Sequence, residues 1–310
     1  MIYHIFANRS NIGDWLSAKG IQKMLSPRIV TECLCDEPFI DGTIARLSSA
    51  TAKDMIVIGG GGLFMDYFEP FWKKFKAIAS RVPFCIWGVG CCDGKEAMTL
   101  PQKALVEAIV RKSKFCIVRD ELSRSFFGNC KLPPSIPCPS INMVGPLSVK
   151  GRGILHVNNY TTVGSQAYEL MCAYAREFAG KTRRAYRETN NRIQAGSKRG
   201  LADVLRRYKR SDIVLSSGLH GCIIGVAMGL KVLAVSGDHK IDAFMESVGL
   251  KDWVLDVHEV NRVPEFLKAL PAQKLPRGIL DKVRNKHREV SVFVSRIASQ
   301  APRGRSHKKE

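Results

Sequence analysis

Short apolar runs and glycine-containing turns alternate along this chain with segments whose apolar residues recur at helical spacing. Runs at residues 2–6, 29–34, 54–58, 83–87 and 115–118 each predict a strand in the first half. Runs at 154–158, 213–215, 232–235 and 253–255 do the same in the second half. Helices are predicted at 15–25, 101–113, 121–127, 166–178, 222–228, 241–248, 263–270 and 278–299. In the first of these, Leu16, Ile21, Met24 and Leu25 share a face. Residues 42–51 fit a short helix without demanding one, and 181–210 reads as a helical, strongly basic segment. Strand, turn and helix in repeated succession predict an α/β chain with parallel sheets. A proline-rich stretch at 133–140 closes the first half and 143–151 reads as a linker. The resulting division is a domain at 1–147, a domain at 148–300 and a basic tail at 301–310.

In parallel sheets, ligands sit at the carboxyl ends of strands. After the run at 213–215 stand Ser216, Ser217, Gly218 and His220, and after 232–235 stand Asp238, His239 and Lys240. Two hydroxyls, an imidazole and an ammonium at a helix N-terminus suit an anion. A capping Ser216 and a structural His220 satisfied by backbone explain the same residues equally well. Four glycines, Gly59 to Gly62, follow another strand and let backbone approach a ligand closely. Gly60 and Gly62 begin a dinucleotide fingerprint, but its third glycine falls on Met65. The stretch is therefore a substrate-facing turn holding Gly60 and Gly61, not an NAD site. Arg119 emerges at the end of the run at 115–118, where a guanidinium can bind carboxylate or phosphate. An ion pair with Asp120 or Glu121 is its other role. Asp14 stands where an N-cap belongs, with Asn11 in the loop before it.

Composition narrows the class. With 310 residues, 45% hydrophobic and 25% charged, the chain suits a globular protein of two α/β domains. No apolar run approaches the roughly 18 residues of a membrane span. The start, a strand without basic leader or cleavage site, leads us to expect no secretory signal. Ten scattered cysteines, none in a CxxC pair, fit a reducing cytosol better than a disulfide framework or zinc site. No His/Asp/Glu cluster has ligand spacing, so no metal is expected. The net charge of +20, concentrated at 181–210 and in the tail, implies an acidic partner. Neither basic segment carries interleaved aromatics or a DNA-reading motif, so specific nucleic-acid binding is not expected.

The motifs together resemble the polysaccharide pyruvyl transferase family. The matching pieces are Asn11-Ile12-Gly13-Asp14, Gly59 to Phe64, Trp87-Gly88-Val89-Gly90, Arg119 to Ser123 and Cys138-Pro139-Ser140. Ser217-Gly218-Leu219-His220-Gly221 and Asp238-His239-Lys240, with Phe244 and Gly249 beyond, complete the series in family order. The resemblance implies two Rossmann-like domains facing across a cleft, as in GT-B glycosyltransferases. It implies transfer of pyruvate from phosphoenolpyruvate, the donor substrate, to a sugar or lipid-linked saccharide as a ketal, with no further cofactor. It implies that Arg119, His220 and Lys240 contact phosphoenolpyruvate. His220 is then the natural proton carrier and Asp14 a base toward the acceptor, with Asn11, Gly60, Gly61, Ser217 and Gly218 around the substrate. A cytoplasmic protein, peripheral to the anionic inner face of a membrane, is the matching location. The chain departs from the family between 160 and 211, where too few strands are legible for a full second sheet. Two other classes stay open: a GT-B-type glycosyltransferase using a nucleotide sugar, and a non-enzymatic anion-binding protein.

Overall fold

The computed structural model describes residues 1–91, 102–149, 151–193, 200–275 and 277–300. The basic tail, residues 194–199 of the basic segment, Cys92 and the start of the helix expected at 101–113 lie outside them.

The first half runs β1 (Ile2–Phe6), α1 (Ile12–Leu25), β2 (Val30–Leu34), α2 (Ile40–Ser48), β3 (Met55–Gly59) and α3 (Glu69–Ile78). It continues with β4 (Phe84–Val89), α4 (Lys103–Val110), β5 (Cys116–Val118) and α5 (Glu121–Phe126). The second half runs β6 (Gly153–Val157), α6 (Tyr160–Lys181), β7 (Ala185–Thr189), α7 (Gly200–Lys209), β8 (Ile213–Ser216) and α8 (Leu219–Ala227). Then follow β9 (Lys231–Ser236), α9 (His239–Ser247), β10 (Val254–Asp256), α10 (Val263–Ala269) and α11 (Arg277–Gln300). Buried β1, β3 and β4 are apolar throughout or nearly so, because helices cover both faces of the sheet.

Two separate parallel sheets form, in the orders β2-β1-β3-β4-β5 and β7-β6-β8-β9-β10. The two orders are the same winding repeated. In each sheet the second strand lies outside the first, and the other three follow on the opposite side. Strand order therefore reverses between β1 and β3, and again between β6 and β8. Each reversal opens a crevice at the carboxyl ends of those strands. The sequence shows no strand between 160 and 211, yet β7 runs there and completes the second sheet. It is an edge strand, partly exposed over most of its length, so Arg187 and Glu188 occupy positions that apolar residues hold in central strands.

The halves are joined by packing as well as by chain. Every residue of α8 except His220 is buried, because the helix lies between the second sheet and the Pro139–Asn142 turn of the first half. That turn also packs on α1. Backbone bonds cross the gap, from Ile12 N–H to the Asn191 carbonyl at 3.0 Å and from Ile193 N–H to the Ser10 carbonyl at 2.8 Å. The division at 147/148 leaves α11 with the second half, but in space the helix spans both. The Trp87 indole of β4 donates to His287 Nδ1 at 3.0 Å, and His287 Nε2 donates to the Pro137 carbonyl at 2.8 Å. Arg28 reaches Ser295 O and Ser299 Oγ at the helix's far end. Phe115 packs on Phe293 with ring centroids 5.4 Å apart.

Candidate active site

The crevices of the two sheets face one another. Between them lies a cavity of ≈ 330 Å³, lined from the first half by Asn11, Asp14, Gly62, Met65 and Arg119. The second half contributes Asn158, Asn159, Thr161, Thr162, Asn190 to Arg192, Gly218 to Gly221 and Lys240, among them His220. The N-termini of α1, α6 and α8 therefore open onto one space. Their aligned dipoles favour an anion there.

Each side chain has a local reason for its position. Asn11 caps α1, accepting from Gly13 N–H at 3.0 Å, so the cap expected of Asp14 belongs to its neighbour. Asp14 is released from that duty and points at the glycine turn. Gly61 has φ +89°, and a Cβ there would meet Asp14 Oδ1 at 2.4 Å. Gly60, at φ +86°, packs against Ser17 instead of lining the cavity. Ser217 is also set back: its hydroxyl accepts from Asn159 N–H at 2.7 Å and ties the β6 and β8 turns together. Ser216 Oγ donates to the Gly218 carbonyl at 2.8 Å and orders the turn into α8.

Arg119 is 5% exposed. Its guanidinium donates to Asp120 Oδ2 at 3.2 Å and to the Cys91 carbonyl at 2.7 Å, so the ion-pair role and the place at the cavity coexist. Lys240 likewise pairs with Asp238, which caps α9. His220 stands at the centre. Its Nε2 is 3.6 Å from Cys138 Sγ, which also accepts from Ser140 Oγ at 3.2 Å. The other side of the ring rests on α1 at Gly13, where a Cβ would come within 2.0 Å of Nδ1.

The electrostatics separate two proton carriers. Burial, helped by the nearby Arg119 and Lys240 charges, pulls the His220 pKa down to about 3. Burial lifts that of Asp14 to about 6, against the opposing pull of Arg119, Arg192 and Lys240. At neutral pH His220 is thus a neutral imidazole, while Asp14 exchanges its proton within reach of physiological pH.

Sequence reasoning missed Arg192 and Cys138 as site residues. Arg192 follows β7, the unrecognised strand, and was absorbed into a basic run. Cys138 lay in a noted motif, but nothing in the sequence joins it to His220, 82 residues on.

Comparison with known proteins bears on this geometry. A family model described as polysaccharide pyruvyl transferase matches residues 11–239. The chain belongs to that family. It is therefore a transferase by membership, and the matched span holds every cavity residue named above except Lys240, one position past its end. No curated protein matches the sequence. Among solved structures, S. aureus MnaA with UDP aligns at 11% identity and TM-score 0.58, over 97% of this chain and 98% of that one. The UDP-GlcNAc 2-epimerase of Methanocaldococcus jannaschii aligns at 9% identity and TM-score 0.54, over 94% and 99%. A GtfA/B complex gives 12% identity and TM-score 0.47, with this chain spanning 61% of that one's length. The first two likenesses show the GT-B-like arrangement of two Rossmann-like domains and nothing of the reaction.

Gly13 provides a test of the site in this pyruvyl transferase family member. Alanine has the better helix propensity, so Gly13→Ala is expected to keep α1. Its methyl must displace the His220 ring, and a displacement of about 1 Å at a catalytic group costs on the order of 10²-fold in turnover. Steady-state kinetics beside a thermal melt would check it. Full turnover in a folded variant would remove His220 from the chemistry.

Proposed function

We propose that this chain transfers pyruvate from phosphoenolpyruvate to two hydroxyls of one sugar, releasing phosphate and leaving a cyclic ketal. The observation that carries the reading is the meeting of Arg119, Arg192 and Lys240 with His220 and Asp14 around one cavity between helix N-termini. A small dianion or trianion with carboxylate and phosphate at opposite ends suits such a set.

The steps follow from those residues. Arg119, Lys240 and the α8 amides hold the anionic groups. Asp14, as the acid, gives its proton to the vinyl carbon, which becomes the methyl group. His220, as the neutral base, takes the proton of the first hydroxyl while its oxygen bonds to C2. The C2–O bond to phosphate breaks, the second hydroxyl closes the ring, and its proton leaves with the phosphate. These roles reverse the reading from sequence, which made Asp14 the base, because burial lowers the pKa of an imidazole and raises that of a carboxyl. Bound phosphoenolpyruvate offsets the cationic field and raises both pKa values, readying Asp14 to hold its proton until transfer. His220 then returns its proton to Asp14 through solvent, so that atoms and charges balance over the cycle without a further cofactor.

A second cavity of ≈ 430 Å³ shares Asn158, Asn190 and Arg192 with the first and offers room for the acceptor. We assign it to a sugar or lipid-linked saccharide. Among the described residues no helix is long and apolar enough to cross a membrane. Work on a lipid-linked acceptor would place the chain at the inner membrane face.

The direct test is phosphate release from phosphoenolpyruvate across a panel of sugar acceptors. Lys240→Gln keeps a donor for Asp238 but loses the charge. Losing a charge-assisted contact costs about 1.5–3 kcal/mol, so the half-saturating phosphoenolpyruvate concentration should rise roughly ten- to a hundredfold. Turnover of a nucleotide sugar, with phosphoenolpyruvate inert on every acceptor, would replace this reading with glycosyl transfer.

A further inference from the structure

The second half carries a further cluster that the transfer steps leave unused, beside the second cavity, which Glu188 also lines. His156 on β6, Cys172 on α6 and Glu188 on β7 turn their polar atoms toward one point. Cys172 Sγ lies 3.5 Å from His156 Nδ1 and 3.6 Å from Glu188 Oε1, and Nδ1 lies 3.8 Å from that oxygen. A tetrahedral zinc ion at about 2.3 Å from sulfur and about 2.0–2.2 Å from nitrogen and oxygen spaces its ligand atoms roughly 3.3–3.6 Å apart. The triangle is already within a few tenths of an ångström of that spacing. We propose that His156, Cys172 and Glu188 form a binding site for a zinc-like divalent cation, with water in the fourth position.

The surroundings fit this reading. His156 is fully buried, and its Nε2 has no hydrogen-bond partner, so every polar contact of the ring is on the Nδ1 side. Metal on Nδ1 places the single ring proton on Nε2. Glu188 keeps 27% of its side chain exposed, which gives the ion and its water a way in. Tyr168 donates to Glu188 Oε1 at 2.6 Å and orients the carboxylate, the supporting bond that metal ligands commonly have. Thiolate and carboxylate together neutralise the ion, and the Cys172 proton leaves to solvent on binding. Arg176 lies 3.7 Å from the other carboxylate oxygen, Oε2. A thiolate, imidazole and carboxylate set favours zinc over calcium or magnesium. The sequence conceals the site because its members are spaced 16 and 16 residues apart on three elements. A bound ion would pin the edge strand β7 to β6 and α6, and so fix the turn that carries Arg192 to the cleft.

The full chain, stripped with chelator and titrated with Co²⁺, tests this without reference to activity. One equivalent should bind, give a thiolate-to-cobalt charge-transfer band and be displaced by Zn²⁺. Cys172→Ser should abolish the band, and Cys130→Ser should leave it. Tyr168→Phe should weaken Co²⁺ binding about 10–100-fold. Should Cys172→Ser fail to fold, Glu188→Gln provides the check, with at least a tenfold loss expected. No saturable binding, a band surviving in Cys172→Ser, or unchanged affinity in Glu188→Gln would each overturn the site.

Discussion

His220→Gln is expected to lower turnover by about 10²–10⁴-fold, the usual contribution of a positioned acid or base. Glutamine keeps a hydrogen-bonding group of similar reach but cannot take a proton. The half-saturating phosphoenolpyruvate concentration should change far less than it does in Lys240→Gln, since a neutral His220 adds no charge to the binding of an anion. The melting temperature should hold or rise, because the variant removes a buried imidazole whose protonation opposes folding. Single-turnover phosphate release, measured beside a melt, separates these effects. Wild-type turnover would leave Asp14 to serve alone, and the division of acid and base argued here would fall. Loss of binding with turnover intact would make His220 a ligand only.

Stability itself should fail on the acid side. Four of the chain's seven histidines, His4, His156, His220 and His287, have pKa values depressed by burial to about 4, 4, 3 and 4. Below about 6.5 the unfolded chain protonates these groups and the folded chain does not. The unfolded state therefore binds more protons, and stability falls as pH falls from about 6.5 toward 4. The slope is at most about 1.4 kcal/mol per pH unit for each histidine. Asp14 works the other way: its raised pKa keeps a proton in the folded state between about 4 and 6, offsetting one histidine. Glu32, held near 2 by Lys19 and Arg9, adds to the acid loss below about 4.5. Against a total stability of about 5–15 kcal/mol, the net slope should bring the midpoint of thermal unfolding down steeply between pH 6.5 and 4.5. Melts at constant ionic strength would show it. A midpoint that stays level over that window would mean that these rings gain protons without unfolding.

The strands and their glycine turns were readable because a buried parallel strand is a run of apolar residues, whatever it packs against. Placement of Arg119, His220 and Lys240 followed from topology alone, since every parallel strand delivers its carboxyl end to the same edge. β7 escaped because an edge strand needs no continuous apolar run, and its charges resemble a solvated helix. With β7 went Arg192, which follows that strand into the cleft. The relative acidities of Asp14 and His220 were not legible either. They depend on desolvation by both halves and on cations from distant segments, quantities that no local stretch encodes. The same holds for Trp87 and His287, joined across 200 residues.

The bridging helix also limits how such a chain can be inherited in pieces. A genetic crossover at the 143–151 linker brings in a foreign final helix with the foreign second half. The newcomer must then accept from the Trp87 indole, meet Phe115 and reach Arg28, or the first sheet loses its cover. Few unrelated partners satisfy all three contacts at once. New acceptor specificity in this lineage is therefore expected to come from substitutions in the turns around the cleft, with the two halves descending together.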